Sequence, residues 1–195
     1  MWKKRHLKID TDRCYLRLPK AKDYIDWVNL RKGSENFLAP WEPDRDKNFY
    51  SMRLFKARLK WSSENFNKGK VIHTFIFKRK EDSLIGAITL DNLRGGVSQS
   101  CSIGYWLGEG YARNGYMSEV LSAMVFVAFK DFDISRIEAA TLPENVASRR
   151  LLEKLGFKYE GVAQSYLKIA GRWRNHVLYA LIRDDRRGRN LVDNR

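Results

Sequence analysis

The stretch Leu107-Gly108-Glu109-Gly110-Tyr111-Ala112-Arg113-Asn114-Gly115-Tyr116-Met117-Ser118 decides how the rest of the chain reads. A β-rich run over residues 101–107 ends there, a glycine-containing loop follows, and a helical pattern opens at Gly115. A helix start presents N–H groups that lack intrahelical partners, together with the positive end of the helix dipole. A junction of this kind can hold a phosphate. Two nucleotide motifs fail on it. The dinucleotide pattern G-x-G-x-x-G would use Gly108 and Gly110, but Arg113 stands where the third glycine belongs. The P-loop spacing is met by Gly110 and Gly115, yet Tyr116-Met117 replaces the Lys-Ser/Thr pair that reaches phosphate and magnesium. On this segment alone, an anion site and an ordinary strand-to-helix turn stand level.

Working outward, residues 7–18 read as one strand ended by Pro19, and residues 23–30 as a helix carrying Tyr24, Trp27, Val28 and Leu30. Residues 37–43 read as a loop, because Pro40 and Pro43 oppose helix. Residues 49–66 have helical spacing. Residues 71–77, 84–90 and 101–107 form a strand meander, joined at Lys80-Glu81-Asp82-Ser83 and Arg94-Gly95-Gly96. The helix over 115–129 turns Met117, Val120, Leu121, Met124, Val125 and Ala128 inward. A strand over 136–142 and a helix over 145–155 follow, the helix closed by Gly156. Two late strands, over 159–169 and 173–182, flank Ala170-Gly171-Arg172. This order predicts an α/β (α+β) fold with a mixed sheet of about seven strands. One domain is expected over residues 1–182, followed by a basic tail over 183–195.

The chain has 195 residues, 44% hydrophobic and 13% aromatic, which excludes a disordered chain and leaves enough for a real core. No apolar run approaches the ~20 residues that a membrane helix needs. No apolar segment follows the basic start Met1-Trp2-Lys3-Lys4-Arg5-His6-Leu7-Lys8, so no secretory signal is expected. Cys14 and Cys101 make no disulfide framework, and a reducing, cytoplasmic setting is the expectation. Lys and Arg total 37 against 23 Asp and Glu, a net charge of +14. That surplus suits a polyanionic neighbour: nucleic acid, a ribosome or an anionic cofactor.

A second junction narrows the reading. Arg136-Ile137-Glu138 leads through Leu142-Pro143-Glu144 into Asn145-Val146-Ala147-Ser148-Arg149-Arg150-Leu151-Leu152-Glu153-Lys154-Leu155-Gly156-Phe157. By itself this is a strand feeding a helix with Asn145 as N-cap. Together the two junctions resemble the GNAT N-acetyltransferases, whose loop motif Gln/Arg-x-x-Gly-x-Gly/Ala falls on Ala112-Arg113-Asn114-Gly115-Tyr116-Met117. Gly115 is kept, while Ala112 and Met117 depart from the general pattern. The Asn-x-x-Ser helix ending in Glu-Lys-Leu-Gly-Phe is the more specific match. Phe37-Leu38-Ala39-Pro40-Trp41-Glu42-Pro43-Asp44-Arg45-Asp46 and the run from Glu160 to Leu178 are similar to the ribosomal-protein-alanine N-acetyltransferase (RimJ/RimL-like) branch. The resemblance covers residues 12–182.

The resemblance implies a GNAT fold, with a mostly antiparallel sheet splayed between its fourth and fifth strands. It implies acetyl-CoA in that cleft and no metal. The backbone of Tyr105, Trp106 and Leu107 would pair with the pantetheine arm. The N–H groups of Arg113, Asn114, Gly115, Tyr116, Met117 and Ser118 would wrap the pyrophosphate. Arg113 either adds a cation or is simply solvated. Asn145, Ser148 and Leu152 would line the arm, with Asn145 bonding the pantetheine amide and counted with Ser148 among the catalytic residues. Ser148 is the implied proton donor, since many relatives carry a Tyr one turn on, where Leu152 stands here.

A general base is not identified. Glu42, Glu138 and His176 are candidates, although Glu138 reads equally as a strand-edge ion-pair partner and His176 as a packed strand residue. A free α-amine, with a pKa of about 7.7–8, is partly neutral without help, whereas a Lys amine at about 10.4 is not. The lack of a dedicated base therefore favours an N-terminal acceptor. Trp41 and Glu42, held between two prolines, suit an acceptor lip; Tyr166 and His176 would complete it.

Three functions follow. The first is acetylation of a ribosomal protein's N-terminal Ala or Ser by direct attack in a ternary complex. The second is acetylation of a small amine or antibiotic. The third is a ribosome-binding assembly factor with weak catalysis. The expected partners are acetyl-CoA, a protein N-terminus and the ribosome or its rRNA, with no membrane, for a monomer or homodimer.

Overall fold

The computed structural model describes residues 7–184; the basic start and the tail beyond residue 184 lie outside the described residues. Strands β1 (Lys8–Asp10) and β2 (Cys14–Arg17) form a hairpin rather than the single strand expected over 7–18. The cause is local. The Thr11 N–H and hydroxyl both donate to the Cys14 carbonyl, and the Cys14 N–H donates to Thr11 Oγ1, which closes a turn over Thr11-Asp12-Arg13. Helix α1 (Tyr24–Gly33) follows, then a short α2 (Glu35–Leu38) and a 3₁₀ turn (Ala39–Trp41). The expected loop over 37–43 is thus helical as far as Trp41. Pro40 sits in the first turn of its 3₁₀ segment, where a missing N–H breaks no bond, and the chain becomes extended only at Glu42.

Helix α3 (Met52–Asn67) precedes a meander of β3 (Ile72–Lys78), β4 (Ser83–Arg94) and β5 (Ser100–Leu107). Then come α4 (Tyr116–Asp131), β6 (Arg136–Thr141), α5 (Val146–Lys154), β7 (Lys158–Ile169) and β8 (Arg172–Ile182). All eight strands share one sheet in the order β1-β2-β3-β4-β5-β6-β8-β7. Trp27 of α1 and Phe55 of α3 cover one face, against Phe75, Phe77, Leu84 and Ala87. Val120, Leu121, Met124 and Ala128 of α4, with Leu152 of α5, cover the other. Burying side chains of this size contributes about 1.5–3 kcal/mol each for the larger ones. Coverage on both faces explains why consecutive residues are buried from Thr74 to Phe77 on β3 and from Leu84 to Ile88 on β4.

One pairing positions the site. β5 and β6 are the only parallel neighbours among the described strands, and they pair only through Ser100↔Arg136, Cys101↔Ile137 and Ser102↔Glu138. Beyond that point β5 runs on to Leu107 and β6 to Thr141 without pairing to each other. β4 still holds β5 as far as Gly86↔Leu107. The last residues of β5 are therefore paired on one side and open on the other. This is the expected splay; the extra hairpin strand makes it the gap between the fifth and sixth strands.

Candidate active site

The loop after β5 leads to α4, whose N-cap is Gly115 at φ +79° with no side chain capping the helix. The first-turn N–H groups of Tyr116, Met117 and Ser118 thus lack a side-chain acceptor, and the dipole adds positive potential there. Arg113 also adopts a left-handed φ of +62°. Arg113, Asn114 and Gly115 are exposed.

The loop is braced from the β1–β2 turn. Arg13 Nη1 donates to the Asn114 carbonyl at 3.0 Å and Nε to Glu119 Oε2 at 2.7 Å, and the Arg13 N–H donates to Glu119 Oε1 at 2.8 Å. Its guanidinium also lies over the Tyr116 ring, 4.6 Å from the centroid. Partial burial raises the Glu119 pKa, but hydrogen bonds from Thr11 and Arg13 outweigh this and hold it below its ordinary value. A Cβ at position 115 would stand in ordinary contact, 3.4 Å from Arg13 Nη2, so the cost of a side chain there is the strain of the left-handed backbone. Arg13 was not among the sequence candidates. It lies 101 residues from Asn114, and no local motif marks it.

Across the gap, α5 begins at Asn145, whose Oδ1 accepts the Ser148 N–H at 3.1 Å. Ser148 Oγ lies 2.8 Å from the Tyr105 hydroxyl, on the open part of β5. Burial pushes the Tyr105 phenol up to about 12, and the hydrogen bond with Ser148 opposes part of that shift. Leu152, one turn further along α5, is buried in the core. Tyr105 was expected to contribute backbone alone; its side chain reaches from β5 to the first turn of α5.

The three candidate bases have partners of their own. Arg31 donates to both carboxylate oxygens of Glu42, at 2.7 and 2.5 Å, and Arg45 adds a third bond at 2.6 Å. Arg31 is only 5% exposed and stacks over Trp106, 4.5 Å from the ring centroid. Glu138 accepts from Arg136 Nε at 2.8 Å, at the last paired position of β5 and β6. His176 is buried on β8, with Nδ1 3.1 Å from the Arg174 carbonyl and its ring 5.5 Å from that of Tyr166. Among the described residues no hydrogen bond links Glu42, Glu138 or His176 to the Tyr105–Ser148 pair.

The loop holding Trp41 and Glu42 does meet the β7–β8 turn: the Ala170 N–H donates to the Glu42 carbonyl at 3.1 Å. Trp41 is 36% exposed beside this contact and Tyr166 is exposed on the same hairpin, so these two loops form a rim.

Residues 13–158 match the family model described as Acetyltransferase (GNAT) domain. The chain belongs to the GNAT acetyltransferase family. GNAT proteins are acetyl-CoA-dependent acyltransferases, and this GNAT chain shares their fold. It is 34% identical over 179 residues to the ribosomal protein uS5-alanine N-acetyltransferase of Escherichia coli (strain K12), covering 92% of each chain. The ribosomal-protein-S5-alanine acetyltransferase of Vibrio fischeri superposes with a TM-score of 0.86 at 30% identity, over 92% of this chain and 98% of that one. RimJ of Mycobacterium smegmatis, solved in complex with CoA-disulfide, superposes with a TM-score of 0.85 at 25% identity, over 92% of this chain and 88% of its own. Among the described residues there is no cluster able to hold a metal ion, and no helix is long and apolar enough to cross a membrane.

Proposed function

We propose that this GNAT protein acetylates the N-terminal α-amine of a ribosomal protein, with Ala or Ser as the first residue, by direct attack on acetyl-CoA in a ternary complex. What supports the reading is that β5, unpaired with β6 beyond Ser102, leads by a short loop into an uncapped helix start, while its Tyr105 hydroxyl meets Ser148 of α5. These features fit the parts of acetyl-CoA in turn. The N–H groups at the start of α4 suit its diphosphate. The half-paired edge of β5 at Tyr105, Trp106 and Leu107 suits an extended, amide-bearing arm. When bound, acetyl-CoA supplies an acetyl thioester.

The chain's own residues then have separable tasks. Gly115, by lacking a side chain, lets the loop backbone approach the diphosphate. Asn145 fixes the first turn of α5 and so sets where Ser148 stands. Ser148 gives its hydroxyl proton to the leaving sulfur. Glu42 keeps Arg31 and Arg45 in place, with both carboxylate oxygens engaged by their guanidinium groups. With Glu138 and His176 also engaged elsewhere, the acceptor amine sheds its proton to solvent, which an α-amine can do near neutral pH. Trp41 and Tyr166 offer the rim to the incoming peptide.

The relatives' names support a ribosomal acceptor, and the charge of +14 suits a cytoplasmic target met beside rRNA. Turnover of acetyl-CoA with ribosomal N-terminal peptides, the same peptides blocked at the α-amine, and small amines tests the reading. Activity confined to the free N-terminus supports it. Activity on blocked peptides through Lys, or on small amines alone, refutes it. Gly115→Asp should abolish acetyl-CoA binding; unchanged affinity would refute the loop assignment.

A further inference from the structure

Beyond this reading, which it presupposes, we infer that Tyr105 is a positioning residue for proton delivery: its hydroxyl orients Ser148 Oγ and replaces the proton that Ser148 gives to the departing sulfur. Three observations carry this.

First, the 2.8 Å contact joins residues from the two sides of the opening, a strand and a helix 43 positions apart in the chain. It sits at the proposed site of chemistry. Second, a serine in the first turn of a helix commonly hydrogen-bonds back to its own backbone. Here its amide is held by Asn145 and its hydroxyl by Tyr105, so the Oγ direction is set by tertiary structure. Third, an aliphatic hydroxyl is a much weaker acid than a phenol. If Ser148 acted alone, sulfur protonation would leave an alkoxide. With Tyr105 in line, the negative charge ends on the phenol oxygen. On α5 the next residue toward the same side is Leu152, which offers no hydroxyl, and this makes Tyr105 the proton source that the geometry supplies.

The step balances. The amine nitrogen bonds to the acetyl carbon and the carbon–sulfur bond breaks. Sulfur takes the Ser148 proton and Ser148 takes the Tyr105 proton. The resulting tyrosinate recovers a proton from water, which receives the one lost by the acylated nitrogen. No other reactant is needed.

Tyr105→Phe keeps the ring and removes the hydroxyl. Expected is a fall in kcat of about 100-fold, the scale of lost proton transfer, with KM for acetyl-CoA unchanged. Ser148→Ala should show the same fall, and the double variant no further fall, because residues acting as one unit are not additive. A fluorinated tyrosine at position 105, with a more acidic phenol, should restore turnover but introduce a loss of rate at alkaline pH. Retained kcat in Tyr105→Phe, multiplying losses in the double variant, or no new alkaline limb would each overturn the inference. If the unaltered enzyme transfers no acetyl group to any N-terminal peptide, the underlying functional reading fails first, and the inference with it.

Discussion

Replacing Gly86 with Ala tests whether the end of β5 is a rigid wall of the site. Gly86 lies on β4 opposite Leu107, the last residue of β5. A Cβ at position 86 would stand 2.3 Å from the Trp106 carbonyl oxygen, 2.8 Å from Leu107 Cδ2 and 3.1 Å from Leu107 Cα. The Leu107 side chain can rotate away, but the oxygen and the Cα move only if β5 moves. Restoring ordinary contact requires a backbone displacement of about 1 Å, and overpacking of this kind costs about 1–3 kcal/mol. For a domain of this size such a loss lowers Tm by roughly 2–12 °C. The same displacement moves the open edge at Tyr105, Trp106 and Leu107, so KM for acetyl-CoA should rise about tenfold or more, as misplaced binding groups do. Gly104→Ala on the same strand is the control, since nothing lies within 4 Å of its Cβ position. Thermal unfolding and steady-state kinetics of both variants decide the matter. Equal melting temperatures, or an unchanged KM in Gly86→Ala, would refute the reasoning.

Other outcomes follow from the same geometry. Glu42→Gln leaves the buried Arg31 without its counter-charge and should cost up to about 3–5 kcal/mol in denaturant unfolding; a large fall in kcat at full stability would instead make Glu42 a base. Arg13→Ala removes the brace on Asn114 and Glu119 and should raise KM for acetyl-CoA about tenfold with little change in kcat. His73 is pushed down from 6.5 to about 4 by burial, with Arg58 adding repulsion. Its folded pKa is the lower one, so its contribution to stability is intact above pH 6.5 and is lost as pH falls toward 4; His73→Gln should flatten that part of a stability–pH curve. For kcat/KM, the rise should centre near pH 8 for an α-amine acceptor and near 10.4 for a Lys, roughly. Because burial pushes the Tyr105 phenol up to about 12, no alkaline fall should appear below pH ~11.

The parts of the fold legible in the sequence are those that local physics specifies. The inner face of α4 follows from helical spacing. Gly156 at φ +88° ends α5 with the Gly156 N–H donating to the Glu153 carbonyl and Phe157 to Leu152, the arrangement a C′ glycine predicts. The two strand-to-helix junctions were legible for the same reason, since in each the strand end and the helix N-cap lie close in sequence. The β1–β2 turn was missed because Thr11-Asp12-Arg13 carries neither glycine nor proline, and the bonds of Thr11 to Cys14 are invisible to pattern alone.

The site divides along the same line. The backbone loop at 113–118 is a local object, whereas the side-chain constellation is not. Arg13 meets Asn114, Tyr105 meets Ser148 and Arg31 meets Glu42 only after the sheet has brought them together. Glu42 shows the consequence. Read as a residue type in a proline-rich loop, it is a free carboxylate able to accept a proton or an ammonium group. In the folded chain its charge is already committed to two guanidinium groups. A net charge of +14 makes such capture a general hazard for acidic residues near arginine-bearing helices. An enzyme of this composition that acts on an amine is therefore better served by an acceptor that loses its own proton, with a neutral hydroxyl pair to protonate the leaving group, because neither depends on keeping a carboxylate free.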